Sequence, residues 1–422
     1  MSSSGADHPT RRASRGCRFC GATLDHVFVD LGVSPLANRY LTRDQLGQME
    51  PFYPLRAYVC AECFLVQLEE FEAPADLFSD YAYFASYSDS WVAHARRYAE
   101  AAIIRFGLGA SSQVIEIASN DGYLLQHFAA RGVPVLGIEP AANIAETALR
   151  RGLTTIVDFF DHALARKLTA AGTRADLLIG NNVLAHVPGL NDFVAGLALL
   201  VAPRGVITME FPHLLHLMEE NEFDTIYHEH FSYFSFLTAE RVFARHGLRL
   251  FDVEELPTHG GSLRIYACRT DDGFRVASER VHELRAREEA AGLTRLERYR
   301  AFGERAAATK WKLLEFLIGA RRGGRSVVGY GAPAKGNTLL NYCGIRTDLL
   351  EYTVDRSPHK QGRHLPGTHI PIHAPEKIRE TRPDYVLILP WNLKDEIVAQ
   401  MAHIREWDGR FVVPIPEATV YP

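Results

Sequence analysis

The sequence predicts an α/β chain in three parts, and three observations predict it. Two CxxC pairs stand near the start, at 17–20 and 60–63. From residue 113, short apolar runs alternate with helical stretches, and several of the runs lead into acidic residues. From residue 326 the same alternation starts again, after a charged interval rich in Ala and Leu. Strand–helix alternation builds parallel, Rossmann-like sheets, and paired CxxC knuckles build small metal modules. The expected boundaries are a disordered tail at 1–13, a zinc-binding domain at 14–80, a central Rossmann-like α/β domain at 81–270 and a C-terminal Rossmann-like α/β domain at 271–422.

Composition narrows the partners. The chain has 422 residues, of which 47% are hydrophobic and 23% charged, the balance of a globular protein with several cores. A net charge of −5 with no basic stripe argues against nucleic acid as a partner. There is no apolar run of about 18 residues, so no membrane span is expected. Residues 1–15 are polar, carry arginines and lack an apolar centre, which excludes a signal peptide. The expected location is the cytoplasm, with reduced cysteines.

Cys17, Cys20, Cys60 and Cys63 offer four thiolates for a tetrahedral, structural Zn²⁺, and Gly21 suits a tight knuckle turn. A redox dithiol is the alternative. The long gap between the pairs reads as a loop insertion, which costs little. Cys268 and Cys343 stand alone and read as buried thiols. Next comes DYAYFASYSDSW, at 80–91, where Tyr81, Tyr83, Phe84 and Ser86 either touch substrate or staple two domains. Ser88 or Asp89 caps the amphipathic helix that follows over 92–106.

The central domain starts with a strand at 114–117, a tight turn at 118–122 and a helix at 123–131. The next strand, 135–138, ends in Glu139 and Pro140, where an acid about 20 residues after the turn can grip a ribose. Asp158 and Phe159 follow a third strand and suit an adenine amine and ring, and Asn181 and Asn182 follow a fourth. With Glu116 and the turn residues Ala118, Ser119, Asn120, Asp121 and Gly122, this is the layout of a class I S-adenosylmethionine-binding fold. The turn has Ala, Ser and Asn where glycines are common, and it lacks the G-x-G-x-x-G of dinucleotide enzymes. Strands at 248–253 and 262–268 are expected to complete a seven-stranded sheet with an antiparallel edge.

DTIYHEHFSYFS, at 224–235, lies beyond the fifth strand, where open sheets bind ligands. It places Tyr227, His228, Glu229 and His230 in a row, four side chains able to move or hold a proton. Residues 278–320 read as two helices. Beyond them, GYGAPAKGNT at 329–338 starts a helix whose backbone N–H groups and Lys335 suit a phosphate. Asn337, Arg356, His359, Lys360, Trp391 and Asn392 complete the candidate nucleotide contacts.

The motifs CRFC…CAEC, DYAYFASYSDSW, EIASNDGYLLQHF, NNVLAHV, YHEHFSYFS, THGGSLR and GYGAPAKGNTLLNY occur together here. In them the chain, from 14 to 422, resembles the NDP-deoxysugar C-methyltransferases of antibiotic pathways, chiefly those acting on C-3 of dTDP-4-keto hexoses. The resemblance implies structural zinc, S-adenosylmethionine (S-adenosylhomocysteine as product) in the central domain, and a dTDP-sugar between the central and C-terminal domains. It implies His230 as base, with Tyr81, His186, Tyr227 and Glu229 around the sugar. A monomer or weak homodimer is expected. Elementary chemistry agrees: a sugar C–H becomes removable only beside a ketone, which spreads the charge as an enolate. A base, donors to the ketone oxygen and an in-line methyl group are then required. The alternatives are C-5 methylation, a zinc hydrolase built on His228 and His230, a nucleic-acid methyltransferase, and a non-catalytic scaffold that binds nucleotide sugars.

Overall fold

A computed structural model describes residues 16–73 and 84–422. The expected tail, together with Tyr81 and Tyr83, lies outside the described residues.

The two knuckles fold alike. The Gly21 N–H returns to the Cys17 carbonyl at 2.9 Å, and the Phe64 N–H to the Cys60 carbonyl at 3.0 Å. Both turns need left-handed backbone. Gly21 adopts it freely at φ 80°, whereas Phe64 adopts it at φ 61° with its ring stacked on Tyr299. The long gap between the knuckles is more than a loop. It contains β1 (His26–Ser34) and β2 (Tyr53–Val59), an antiparallel pair extended by β3 (Val66–Leu68). The fourth strand of this sheet is β9 (Ser232–Tyr233), which belongs to the YHEH stretch.

The central sheet has seven strands: β4 (Val114–Ile117), β5 (Val135–Ile138), β6 (Thr155–Ile156), β7 (Ala175–Asn181), β8 (Val201–Pro212), β10 (Leu248–Leu256) and β11 (Ser262–Arg269). Their order is β10-β11-β8-β7-β4-β5-β6. The antiparallel strand is β11, and it lies between β8 and β10 instead of at the edge. The tight turn Thr258–Gly260 forces β11 to run against β10, and β11 is the strand that pairs with β8. The β4 run VIEI is buried throughout, as a central parallel strand covered on both faces must be. The helix expected at 123–131 contracts to Leu125–Ala129. The helix Asp89–Phe106 is capped by Ser88, whose hydroxyl accepts the Trp91 N–H at 3.3 Å.

Three helices, not two, cross to the last domain: Glu279–Ala290, Leu296–Arg300 and Phe302–Arg322. Gly292, at φ 84°, stands in the break after the first. The third sheet runs β14 (Ile372–His373), β13 (Thr353–Val354), β12 (Val327–Tyr330), β15 (Tyr385–Ile388), β16 (Arg410–Val413), β17 (Thr419–Tyr421), parallel except for β17. Much of the strand expected at 349–354 is a turn, because the Leu349 and Leu350 N–H groups return to the Arg346 carbonyl at 3.0 and 2.9 Å.

One apolar cluster reaches into all three parts of the chain. Phe28 and Leu55 of the first meet Leu217, Phe223 and Ile226 of the middle, and Leu339 and Leu340 of the last. The segment that carries YHEH is therefore packed from every side.

Candidate active site

A cavity of about 700 Å³ opens at the carboxyl ends of β4, β5 and β7, and residues 333–335 and Lys360 of the C-terminal domain line its far side. Its cofactor half starts at the turn after β4. Ala118 and Asn120 hold φ values of 54° and 49°, at the places where glycine is common. Asn tolerates this region, but for Ala it costs roughly 1–2 kcal/mol, strain of the kind that collects at binding sites. Ala118→Gly is expected to stabilise the fold by up to about 1 kcal/mol in urea melts, because glycine relieves that strain at some cost in unfolded-chain entropy.

Glu139 sits at the end of β5. Its two oxygens accept the Asn120 and Ala141 N–H groups, both at 2.9 Å, and it lines the cavity. A carboxylate has about four acceptor sites, so two remain for ribose hydroxyls. Asn181 also lines the cavity, buried, and neither amide atom has a partner among the described residues. An orphaned buried amide costs about 1–3 kcal/mol, so this wall fits a polar ligand. Pro140, Phe159 and Asn182 line it too.

The other expected cofactor residues stand behind the wall. Glu116 is fully buried, and burial, with Glu139 and Asp121 nearby, pushes its carboxyl well above the usual range. It is a core acid that does not line the cavity. Ser119 packs against Gly137 in a space too tight for another side chain there. Asp121 accepts the Ser86 hydroxyl and pairs with Arg151 at 3.6 Å. Gly122 supplies the turn at φ 80°, and Asp158 is exposed, its carboxylate accepting the Phe159 N–H at 2.8 Å.

In the reaction half, His230 Nδ1 lies 2.9 Å from the Thr225 carbonyl, and Nε2 lies 2.9 Å from the Tyr227 hydroxyl. A carbonyl only accepts, so Nδ1 carries the proton and the Nε2 lone pair faces the phenol in the cavity. Burial, then the neighbouring His186, pushes the His230 pKa well below 6.5. The His186 ring meets it edge-on at 4.7 Å, and burial lowers His186 to about 4. The Thr225 carbonyl, not the adjacent Glu229, holds this tautomer. The Glu229 carboxylate takes the Asn38 amide at 2.8 and 3.0 Å. His228 Nε2 faces the Pro54 carbonyl at 3.2 Å and its ring lies against Tyr53 and Phe71. It shares no metal position with His230, which removes the hydrolase reading.

Three features escaped the sequence. Asn38 reaches the cavity from the gap between the knuckles, and the buried Tyr40 nearby donates its hydroxyl to the Ala332 carbonyl at 2.6 Å. His259 lines the cavity in left-handed backbone at φ 57°, its Nε2 accepting from the Asn182 amide at 3.2 Å. Behind it, buried Glu210 takes Arg264 at 2.5 Å, Thr258 at 2.9 Å and His94 at 3.0 Å. Burial alone would raise the Glu210 carboxyl, but His94 and Arg264 outweigh it and hold it at about 2. Arg264→Met leaves a buried charge without its cation, and chemical denaturation should register a loss of about 3–5 kcal/mol. The THGG turn was the available signal for His259. Nothing local marks the others.

The expected nucleotide contacts divide. Lys335 and Lys360 line the cavity. Lys335 Nζ donates to Asn392 at 2.6 Å and lies 4.2 Å from the Trp391 ring centre. Trp391 donates its indole N–H to Asp224 at 2.8 Å, so its polar edge is engaged. Asn337 is buried and donates to the Ala37 carbonyl at 2.6 Å. Arg356 and His359 are exposed and stand off the cavity wall, His359 stacked on Phe84 at 5.6 Å. The phosphate cradle also changes character. The Ala332 N–H, at the start of the loop, donates to Asp355 at 2.7 Å.

Asp224 is raised by burial to about 7, against the partial opposition of Lys335 and Trp391. Between about pH 4 and 7 the native state holds a proton that the unfolded chain has released, so this group lowers stability as pH rises through that window. Asp224→Asn should flatten that slope in urea midpoints taken at pH 5 and pH 7.

The four cysteine sulfurs lie within 4.8 Å of one another, with Cys17–Cys63 and Cys20–Cys60 at 3.5 Å. A tetrahedron with 2.3 Å bonds has edges of about 3.8 Å, so the set fits Zn²⁺.

A seven-stranded sheet with this cavity, beside a Cys₄ module, defines an S-adenosylmethionine-dependent methyltransferase with a structural zinc site. The chain is 36% identical over 404 residues to the C-methyltransferase NovU of Streptomyces niveus, covering 96% of each, and it belongs to that C-methyltransferase family. Family models agree along its length: a zinc binding domain at 17–78, a methyltransferase domain at 91–253 and a C-methyltransferase C-terminal domain at 257–416. Two solved methyltransferases that it resembles are distant in sequence. The magnesium protoporphyrin IX methyltransferase of Synechocystis is 16% identical, with a TM-score of 0.32, over 43% of this chain and 82% of its own. The 1,6-didemethyltoxoflavin-N1-methyltransferase of Burkholderia thailandensis is 15% identical, with a TM-score of 0.35, over 49% and 95%. The non-catalytic scaffold reading falls with the family assignment.

Proposed function

We propose that the chain methylates C-3 of a dTDP-4-keto deoxyhexose, in the making of an antibiotic's branched sugar, with His230 as base. The observation that carries this is the wiring of His230: its tautomer is fixed by a backbone carbonyl, and its Nε2 lone pair, in the cavity, accepts the Tyr227 hydroxyl. Bound S-adenosylmethionine supplies an electrophilic methyl group. Glu139, Asn181 and the turn residues Ala118 and Asn120 would hold that cofactor. On substrate entry the C–H beside the ketone takes the place of the Tyr227 hydroxyl at Nε2. The freed phenol and His186 then donate to the ketone oxygen as charge moves onto it.

The test is incubation with a dTDP-4-keto-6-deoxyhexose in D₂O, with the methyl donor or with S-adenosylhomocysteine in its place. One methyl gained at C-3, and deuterium entering there without the donor, is the expected result. Methyl gain at C-5 moves the site and keeps the base. Neither exchange nor methyl gain on amino or hydroxy sugars would overturn the proposal.

A further inference from the structure

We propose that Lys335 is a catalytic residue whose ammonium group faces the ketone oxygen of the substrate, not its diphosphate. The proposal rests on the enolate reading above. In the deprotonation, the proton leaves carbon for His230 Nε2 and the C–H electron pair moves to the ketone oxygen, which becomes an enolate oxygen. That oxygen needs positive charge.

Burial pushes His230, His186 and His259 below their ordinary values, so they supply little; it lowers Lys335 too, but from a far higher ordinary value and against Asp224 and Glu222, which favour the ammonium. Lys335 lines the same cavity as Tyr227 and His230, and its charge acts on both His230 and His259. The side chain is held in place. One ammonium N–H goes to Asn392 at 2.6 Å and the group lies over the Trp391 ring, which is itself fixed to Asp224. An ammonium has three donors, so two remain for the cavity. The diphosphate reading of this loop loses one donor, since Asp355, itself 3.7 Å from the Lys360 ammonium, takes the Ala332 N–H.

The experiment compares the wild type, Lys335→Met, Lys335→Arg and His230→Asn. Each is measured for dTDP binding by calorimetry, for deuterium exchange beside the ketone with S-adenosylhomocysteine bound, and for kcat and KM. The expected result is exchange and kcat reduced about 100-fold or more in Lys335→Met, partial recovery in Lys335→Arg, and dTDP affinity within twofold of wild type. Unchanged dTDP binding also shows that the variant is folded. Weakened dTDP binding with an intact kcat would overturn the assignment and return Lys335 to the diphosphate. Exchange that persists in His230→Asn would instead bring down the underlying base assignment, and this proposal with it.

Discussion

His230→Asn should bind S-adenosylmethionine as the wild type does and lose turnover by about 10²–10⁴-fold. Asn preserves a donor toward the Thr225 carbonyl and removes the lone pair that faces the Tyr227 hydroxyl. Cofactor binding should survive because Glu139 and Asn181 lie at the ends of β5 and β7, on different elements from His230. Calorimetry with S-adenosylhomocysteine and a steady-state assay separate the two effects, and normal turnover in the variant would refute the base assignment. The depressed pKa gives a second readout. His230 is neutral at every pH above 6.5, so the acid limb of kcat/KM should fall well below that value. A base with so low a pKa holds the substrate's proton weakly. The work must therefore be shared with donors at the developing oxyanion.

Removing zinc should be the most damaging change to the protein as a whole. Structural zinc contributes about 10–16 kcal/mol in small fingers near neutral pH. Its loss should travel further than the module. Arg18 and Phe19 of the first knuckle bond the Pro188 carbonyl and the Asn191 amide, and the insert between the knuckles supplies Asn38 to Glu229. Cys60→Ser, or exhaustive chelation, should lower the melting temperature and abolish turnover together. Amide exchange in residues 225–233 should rise with it. A chelated protein that stays fully active would show that the knuckles fold without the metal.

Much of the architecture was written in local signals. Buried runs such as VIEI specify central strands, acids at strand ends mark the open edge of the sheet, and CxxC pairs mark their own ligand set. What sequence reading missed depends on chain brought together from far apart. β9 is two residues long and has no periodicity to detect. Asn38 lies in a connection without a motif, and the Glu210–Arg264–His94 cluster draws from two strands and a helix. Glu116 misled for the opposite reason. An acid at a strand end suggests a ligand contact, but this one is fully buried and does not line the cavity. In the GYGAPAKGNT loop the Ala332 N–H goes to Asp355, which follows another strand and could not be paired with it from sequence.

The pairing of β9 with β3 has a consequence for synthesis. When the N-terminal knuckles leave the ribosome they can close around a metal at once, yet β3 has no neighbour on its outer side until β4 through β8 have been made. For that interval the nascent chain carries an exposed strand edge, the kind of surface that templates aggregation. Heterologous expression should therefore suffer most when elongation across the central domain is slowed. Supplying residues 1–73 as a separate polypeptide should give poor material, because the strand that finishes its sheet comes from the catalytic stretch.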